Sequence, residues 1–209
     1  RTFLLIQRYS VNVLYWDQWN FYEPLFHDAP LSSFFFWQNG PVRQGIGFLI
    51  YKYVAELSRW NTRTEALAIA GVVFLSMVTA VYLKKRLFLS LAFPDVSIPF
   101  LFLSPVLIGL YTIVPNPSHG AFPLLLTMLY CIAWLSGRPL KYVWIVLLNF
   151  LLIFTTFGLL MGAITPPLLA YELWRTKREG SPRSFQAAAL TLLLSLVSVA
   201  VFFKGYKFV

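Results

Sequence analysis

Apolar and polar positions alternate irregularly up to Glu65, and then the pattern changes. Residues 66–83, "ALAIAGVVFLSMVTAVYL", carry no charge and stop at Lys84, Lys85 and Arg86. About 20 apolar residues suffice to cross a bilayer as a helix, and basic clusters mark the cytoplasmic side. This run therefore predicts a transmembrane helix with its basic end inside. Everything before Glu65 is then extracytoplasmic.

The pattern continues as apolar stretches separated by short polar breaks. Residues 87–111 are apolar but interrupted by Pro94, Asp95, Pro99 and Pro105, which predicts a broken or tilted segment crossing back outward. Residues 112–122, "TIVPNPSHGAF", have the composition of a loop. An inward span over 123–135 reaches the basic turn "SGRPLK", a span over 142–161 leads outward, and 164–174 returns after a tight turn at "GAITPP". The basic loop 175–184 precedes a last span, 185–203, leaving "KGYKFV" outside. Counting crossings places all three basic loops on one side. The predicted fold class is an all-α integral membrane protein, a multi-spanning helical bundle over 65–209 with an extracytoplasmic first loop over 1–64.

Within that loop, residues 41–57 predict an amphipathic helix lying along the membrane interface. Ile46, Ile50, Tyr53 and Leu57 recur at spacings of three and four and form its expected apolar face. Gly45 and Gly47 weaken such a helix by about 1 kcal/mol each relative to alanine, so close packing or ligand approach is the expected reason for them. The apolar run near Arg1 is short and broken by Gln7 and Arg8. It is read as the remnant of a preceding transmembrane helix over 1–8 or as the start of an internal piece, not as a signal peptide.

Composition sharpens this picture. The 209 residues are 58% hydrophobic and 12% charged, with mean hydropathy +0.68, against roughly a quarter charged in soluble domains. The net charge of +9 lies in clusters flanking apolar runs, which the orientation rule explains without nucleic acid as a partner. With one cysteine, Cys131, and two distant histidines, His27 and His119, no zinc cluster is expected. P-loop, G-x-S-x-G and H-E-x-x-H patterns are all absent.

The candidate chemistry lies ahead of the first span. Residues 13–30, "VLYWDQWNFYEPLFHDAP", hold three of the eight acids, Asp17, Glu23 and Asp28, among six aromatic residues. Asp17 lies between Trp16 and Trp19, so it is a carboxylate at headgroup depth that aromatic walls can desolvate into a base. An ordinary loop aspartate is the alternative. Arg43, four residues after Asn39 and followed by Gln44, is placed to grip a phosphate or, equally, lipid headgroups. His119 is a loop residue with a candidate site role.

"YSVNVLYWDQWNFYEPL", "WQNGPVRQGIGFLI" and "RWNTRTEALAIAGVVFL" together resemble the first outer loop and following span of GT-C glycosyltransferases, in particular bacterial relatives of the protein mannosyltransferase group. Weaker likeness extends to "FLSPVLIGLYTIVPNPSHGAF" and "FFKGY". The resemblance implies a sugar donor on polyprenyl phosphate and a glycan, lipid or protein acceptor. It places the site on the extracytoplasmic face of a bacterial inner membrane. It makes Asp17 the acid that acts as base or orients the acceptor, and Asn39, Arg43 and Gln44 polar binding residues, with Arg43 stabilising the leaving phosphate. Glu23 and Asp28 take the acceptor or a divalent cation, and His119 joins the binding set. Val42 stands where such relatives often carry histidine. A non-catalytic, lipid-binding scaffold of the same fold and a secondary transporter are the competing expectations; the near absence of ionisable residues inside the spans weighs against the transporter.

Overall fold

The computed structural model describes residues 2–13, 18–104, 120–137 and 140–208. Almost all regular structure is helical. A short helix α1 (Thr2–Tyr9) is followed by α2 (Gln18–Phe26), α3 (Leu31–Phe36), a two-stranded hairpin of β1 (Gln38–Asn39) and β2 (Val42–Arg43), and α4 (Gly45–Leu57). The long α5 (Thr62–Phe88) leads through a 3-10 turn (Phe93–Val96) to α6 (Ser97–Phe102). After these come α7 (Ala121–Trp134), α8 (Lys141–Ile153), α9 (Gly158–Arg178) and α10 (Pro182–Phe203).

Local chemistry explains the long helices. Asn61 caps α5, its side chain accepting from the Arg63 N–H at 3.1 Å, with Glu65 in the first turn and Lys85 and Arg86 in the last. Both charge placements complement the helix dipole. At 1.5 Å per residue α5 is about 40 Å long and α10 about 33 Å. These two helices are long and apolar enough to cross a membrane by length and composition.

The core holds large side chains such as Phe34, Phe154 and Leu169, but α10 packs mostly small residues inside and large ones outside. On α10 the buried positions are Ala188, Thr191, Ser195, Ser198 and Phe202, while Leu190, Leu193, Leu196 and Val197 are about half exposed. Polar pairs join the buried faces: Asn149 Nδ2 donates to Ser195 Oγ at 3.0 Å between α8 and α10, and Tyr130 and Thr165 hydroxyls meet at 3.0 Å between α7 and α9.

The expected turn at "GAITPP" is not there. α9 runs through Gly162 and both Pro166 and Pro167 as one helix. The chain reverses instead at residues 154–157, where Thr155 Oγ1 donates to Leu152 O at 2.7 Å and accepts from the Phe157 N–H at 3.2 Å. Gly158 completes the reversal, because a Cβ there would lie 2.1 Å from Ile153 O. Prolines inside a packed helix are tolerated where neighbours satisfy the freed carbonyls, so two adjacent prolines do not by themselves mark a turn.

The helices bring their polar ends together in two groups. At one end, Arg86 Nη2 donates to Leu135 O at 3.1 Å, joining the ends of α5 and α7. Lys84 pairs with Asp95 there, and Lys141 at the start of α8 reaches Glu172 near the end of α9. The basic loops thus share one end, as the hydropathy pattern predicts.

The opposite end is covered by α2–α4 and the hairpin. Asn12 Oδ1 accepts from the Thr62 N–H at 2.9 Å, and Arg63 Nη2 donates to Ser10 O at 3.0 Å, tying the turn after α1 to the start of α5. Gln38 exchanges hydrogen bonds with the Lys207 backbone at 2.6 and 3.0 Å, and Tyr206 donates to Pro41 O at 3.0 Å.

The α4 helix is present, and the face it packs on the rest of the protein lies mostly opposite the apolar face expected at the membrane interface. Phe48, Tyr51 and Ala55 are buried against α2, α3 and α5, whereas Ile50, Tyr53 and Leu57 are 38%, 48% and 86% exposed. Both faces are apolar, so spacing alone could not choose between them. It begins at Gly45, four residues later than expected, because the hairpin occupies the preceding residues.

Gly45 has φ +54, and a Cβ there would sit 2.2 Å from Phe154 O. Close packing of α4 on the end of α8 is therefore the reason for this glycine. Gly40 also has a positive φ, +57, but stands in open space. Gly45→Ala is expected to destabilise the protein by at least about 2 kcal/mol, combining left-handed strain with overpacking, and Gly40→Ala by about 1 kcal/mol. Thermal unfolding of both variants in one detergent checks the order.

Candidate functional site

Asp17 and His119 lie outside the described residues. Glu23 is exposed on α2, and exposed Asp28 follows that helix with φ 48, a left-handed conformation near the helix end that aspartate tolerates. Asn39 is half-buried in the hairpin, directly opposite Val42. Arg43 and Gln44 are 3% and 1% exposed. The hairpin therefore unites Asn39, Arg43 and Gln44, while Glu23 and Asp28 stand apart on α2 and its end.

Arg43 is a structural clasp. Its Nε donates to Phe202 O at 2.9 Å, Nη2 to Lys204 O at 2.7 Å and Nη1 to Phe36 O. Phe202 and Lys204 end α10, where the last carbonyls of a helix lack partners within it, and a cation there also opposes the dipole. The rings of Phe36, Phe202 and Tyr206 surround the guanidinium at 5.5–5.8 Å. Burial lowers its pKa from the ordinary value, yet an arginine remains charged throughout the working range. This geometry leaves no open guanidinium face for a leaving phosphate, so the role that the resemblance implies for Arg43 does not fit it. The amides opening α4 are equally covered, since Gly45 lies against Phe154 O.

The cap end holds another carboxylate. Glu65, fully buried in the first turn of α5, accepts a hydrogen bond from the Tyr51 hydroxyl at 2.7 Å. It joins α4 to α5. The signal for it in the sequence was an acid directly abutting an 18-residue apolar run, which reads first as a span boundary. Arg59 and Arg63 are exposed at the same end. Phe26 and Trp60 stack at 5.5 Å with an interplanar angle of 5°, fixing α2 beside the turn into α5.

The basic end carries the densest polar cluster among the described residues. Glu172 Oε1 accepts from Lys141 Nζ at 2.8 Å, from the Tyr142 hydroxyl at 3.1 Å and from Arg175 Nη2 at 3.1 Å. Among the described residues no three of His, Cys, Asp and Glu converge as metal ligands. Comparison with protein-family models, curated proteins and solved structures finds no match for this chain.

Arg43→Lys is expected to lower stability by at least about 2 kcal/mol, because an ammonium cannot serve three carbonyls set apart on two elements and charged hydrogen bonds contribute about 1.5–3 kcal/mol each. Unfolding curves check this. A lysine variant that melts like the wild type would return Arg43 to the list of ligand-binding residues.

Proposed function

We propose that this chain is a multi-spanning, membrane-embedded glycosyltransferase of the GT-C kind, moving a sugar from a polyprenyl-phosphate carrier to an acceptor hydroxyl at the extracytoplasmic face of a bacterial inner membrane. The observation that carries the reading is the segregation of the two ends. The described part of the acid- and aromatic-rich segment, from α2 onward, packs on α4 at one end of the helices, and the basic loops gather at the other. With basic loops inside, the aromatic segment faces out at headgroup depth. The inside-out packing of α10 supports a hydrocarbon surround, since small residues mark helix contacts in lipid and large apolar ones face the chains.

In this reading a lipid-linked sugar keeps its tail among the helices and presents its anomeric carbon at the covered end. Asp17 takes the proton of the acceptor hydroxyl as the acceptor oxygen bonds to that carbon. The bond from the carbon to the phosphate oxygen breaks, and its electron pair leaves with the lipid phosphate. The described residues flanking Asp17 are tied to this end: Asn12 holds Thr62, and α2 packs through Leu25 on α4. Because Arg43 is spent on carbonyls and Arg63 donates through Nε and Nη2 to Ser10 O, the cation assigned to the leaving phosphate is the exposed Arg59. Glu65 and Tyr51 hold α4 to α5 at this end.

A transfer assay in native membranes supplied with radiolabelled polyprenyl-phosphate sugars tests this. Asp17→Asn is expected to reduce transfer by roughly 10²–10⁴-fold with unchanged unfolding temperature, the range for loss of a general base. Binding of the lipid-linked sugar with no transfer by the wild type would instead favour the scaffold reading. Undiminished transfer in Asp17→Asn would remove the base assignment.

A further inference from the structure

Two adjoining cavities at the basic end are assigned no part in that reaction. One, of about 570 Å³, lies among α5, α7 and α8, and Leu129, Ile132 and Leu148 give it an apolar wall. Arg86 stands at its edge, with Tyr82 and Trp144 about half exposed beside it. The other, of about 350 Å³, is polar and bordered by Lys141, Glu172, Arg175, Glu179 and Arg183. Ser136 and Gly137 line both, so they meet at the turn between α7 and α8.

We propose that the paired cavities form a binding site for one anionic phospholipid of the inner leaflet, its phosphate held by Arg86 and Arg183 and one acyl chain lying in the apolar cavity. The proposal rests on the membrane reading above but not on glycosyl transfer. Charge complementarity selects the occupant. Among the described residues, four basic and two acidic side chains border the two cavities. Glu172 engages Lys141 and Arg175, and Glu179 also pairs with Arg175 at 3.4 Å. Arg183 makes no ion pair among the described residues, and Arg86 has a single described bond, from Nη2 to a backbone carbonyl.

Among the described residues the excess positive charge therefore centres on Arg86 in one cavity and Arg183 in the other, which meet at Ser136 and Gly137. A free phosphate would use the polar cavity alone and leave the larger apolar one without a role. A zwitterionic lipid would fill the apolar cavity but leave the charge unmatched. An anionic headgroup joined to an acyl chain uses both. Tyr82 and Trp144 stand where amphipathic rings settle, at the depth of headgroups. The 570 Å³ volume lies inside the range of about 300–1,000 Å³ typical of small-molecule sites. Bound there, the lipid bridges the ends of α5 and α7 to the starts of α8 and α10.

The test uses the whole chain purified in a neutral detergent and stripped of lipid. Dioleoyl phosphatidylglycerol, dioleoyl phosphatidylcholine and inorganic phosphate are titrated separately, with unfolding temperature and native mass spectrometry as readouts. Phosphatidylglycerol is expected to raise the unfolding temperature and to appear as a one-to-one adduct; the other two are not. The double variant Arg86→Gln, Arg183→Gln is expected to weaken that binding by about 20- to 30-fold, at roughly fivefold per juxtamembrane charge.

Gly137→Phe supplies a second variant with the charges intact. A Cβ at Gly137 meets nothing within 4 Å and its φ is not in the left-handed region, so the ring can plug the junction without strain. This variant is expected to melt like the wild type in detergent and to lose the adduct. An equal response to phosphatidylcholine, a full response to phosphate alone, or wild-type binding by both variants would each overturn the proposal. Extraction of the protein from membranes by alkaline carbonate without detergent would instead sink the membrane reading itself, separating the two failures.

Discussion

The buried guanidinium of Arg43 is the constraint on which the outer end of this molecule depends. A cation with almost no access to water must have its donors met, and here they are met by the carbonyls of Phe36, Phe202 and Lys204. That requirement fastens the amino-terminal segment to the end of α10, across more than 150 residues of chain. Once the hairpin is pinned, Gln38 reaches the Lys207 backbone, Tyr206 reaches Pro41, and α4 is laid against the end of α8 with only a glycine's room at position 45. Removing one partner of such an arrangement leaves buried polar groups unpaired, which costs more than the net contribution of the bonds themselves.

This clasp separates architecture from chemistry at the covered end. The residue that the sequence offers most readily as a phosphate grip is consumed in holding the cover shut. The exposed polar groups described at this end are Glu23 and Asp28 on and after α2 and Arg59 and Arg63 around the start of α5, while the Glu65–Tyr51 pair is buried between α4 and α5. At the basic end the logic differs. Glu172 gathers three donors on one oxygen, while Arg183 remains outside any described ion pair. One end is thereby closed by a satisfied cation and the other retains unmatched positive charge.

Hydropathy revealed the features that depend on composition alone. The long apolar helices over the 66–83 run and over 182–203, and the gathering of the basic loops at one end, follow from counting apolar residues and positive charges. Features that depend on a choice between two similar surfaces were hidden. The helix after the hairpin is apolar on both faces, so Ile50, Tyr53 and Leu57 were indistinguishable by pattern from Phe48, Tyr51 and Ala55. The "GAITPP" motif looks like a turn because proline usually breaks helices, whereas the reversal at residues 154–157 is made by a threonine hydroxyl and a glycine with no proline near. Arg43 was legible as an important cation, but its partners are backbone carbonyls, which leave no trace in side-chain identity. Asp17 and His119 lie outside the described residues, so their assigned roles rest on the sequence pattern and the resemblance.

The central claim is that the clasped aromatic end and the basic end face opposite sides of a bilayer. Replacing Cys131 by alanine leaves no cysteine, and single cysteines can then be placed at Glu23 and at Lys177. The decisive measurement is labelling of each variant in intact cells by a membrane-impermeant maleimide, before and after permeabilisation. The account predicts that Glu23→Cys labels in intact cells and Lys177→Cys only after permeabilisation. Labelling of both positions from the same side would contradict it.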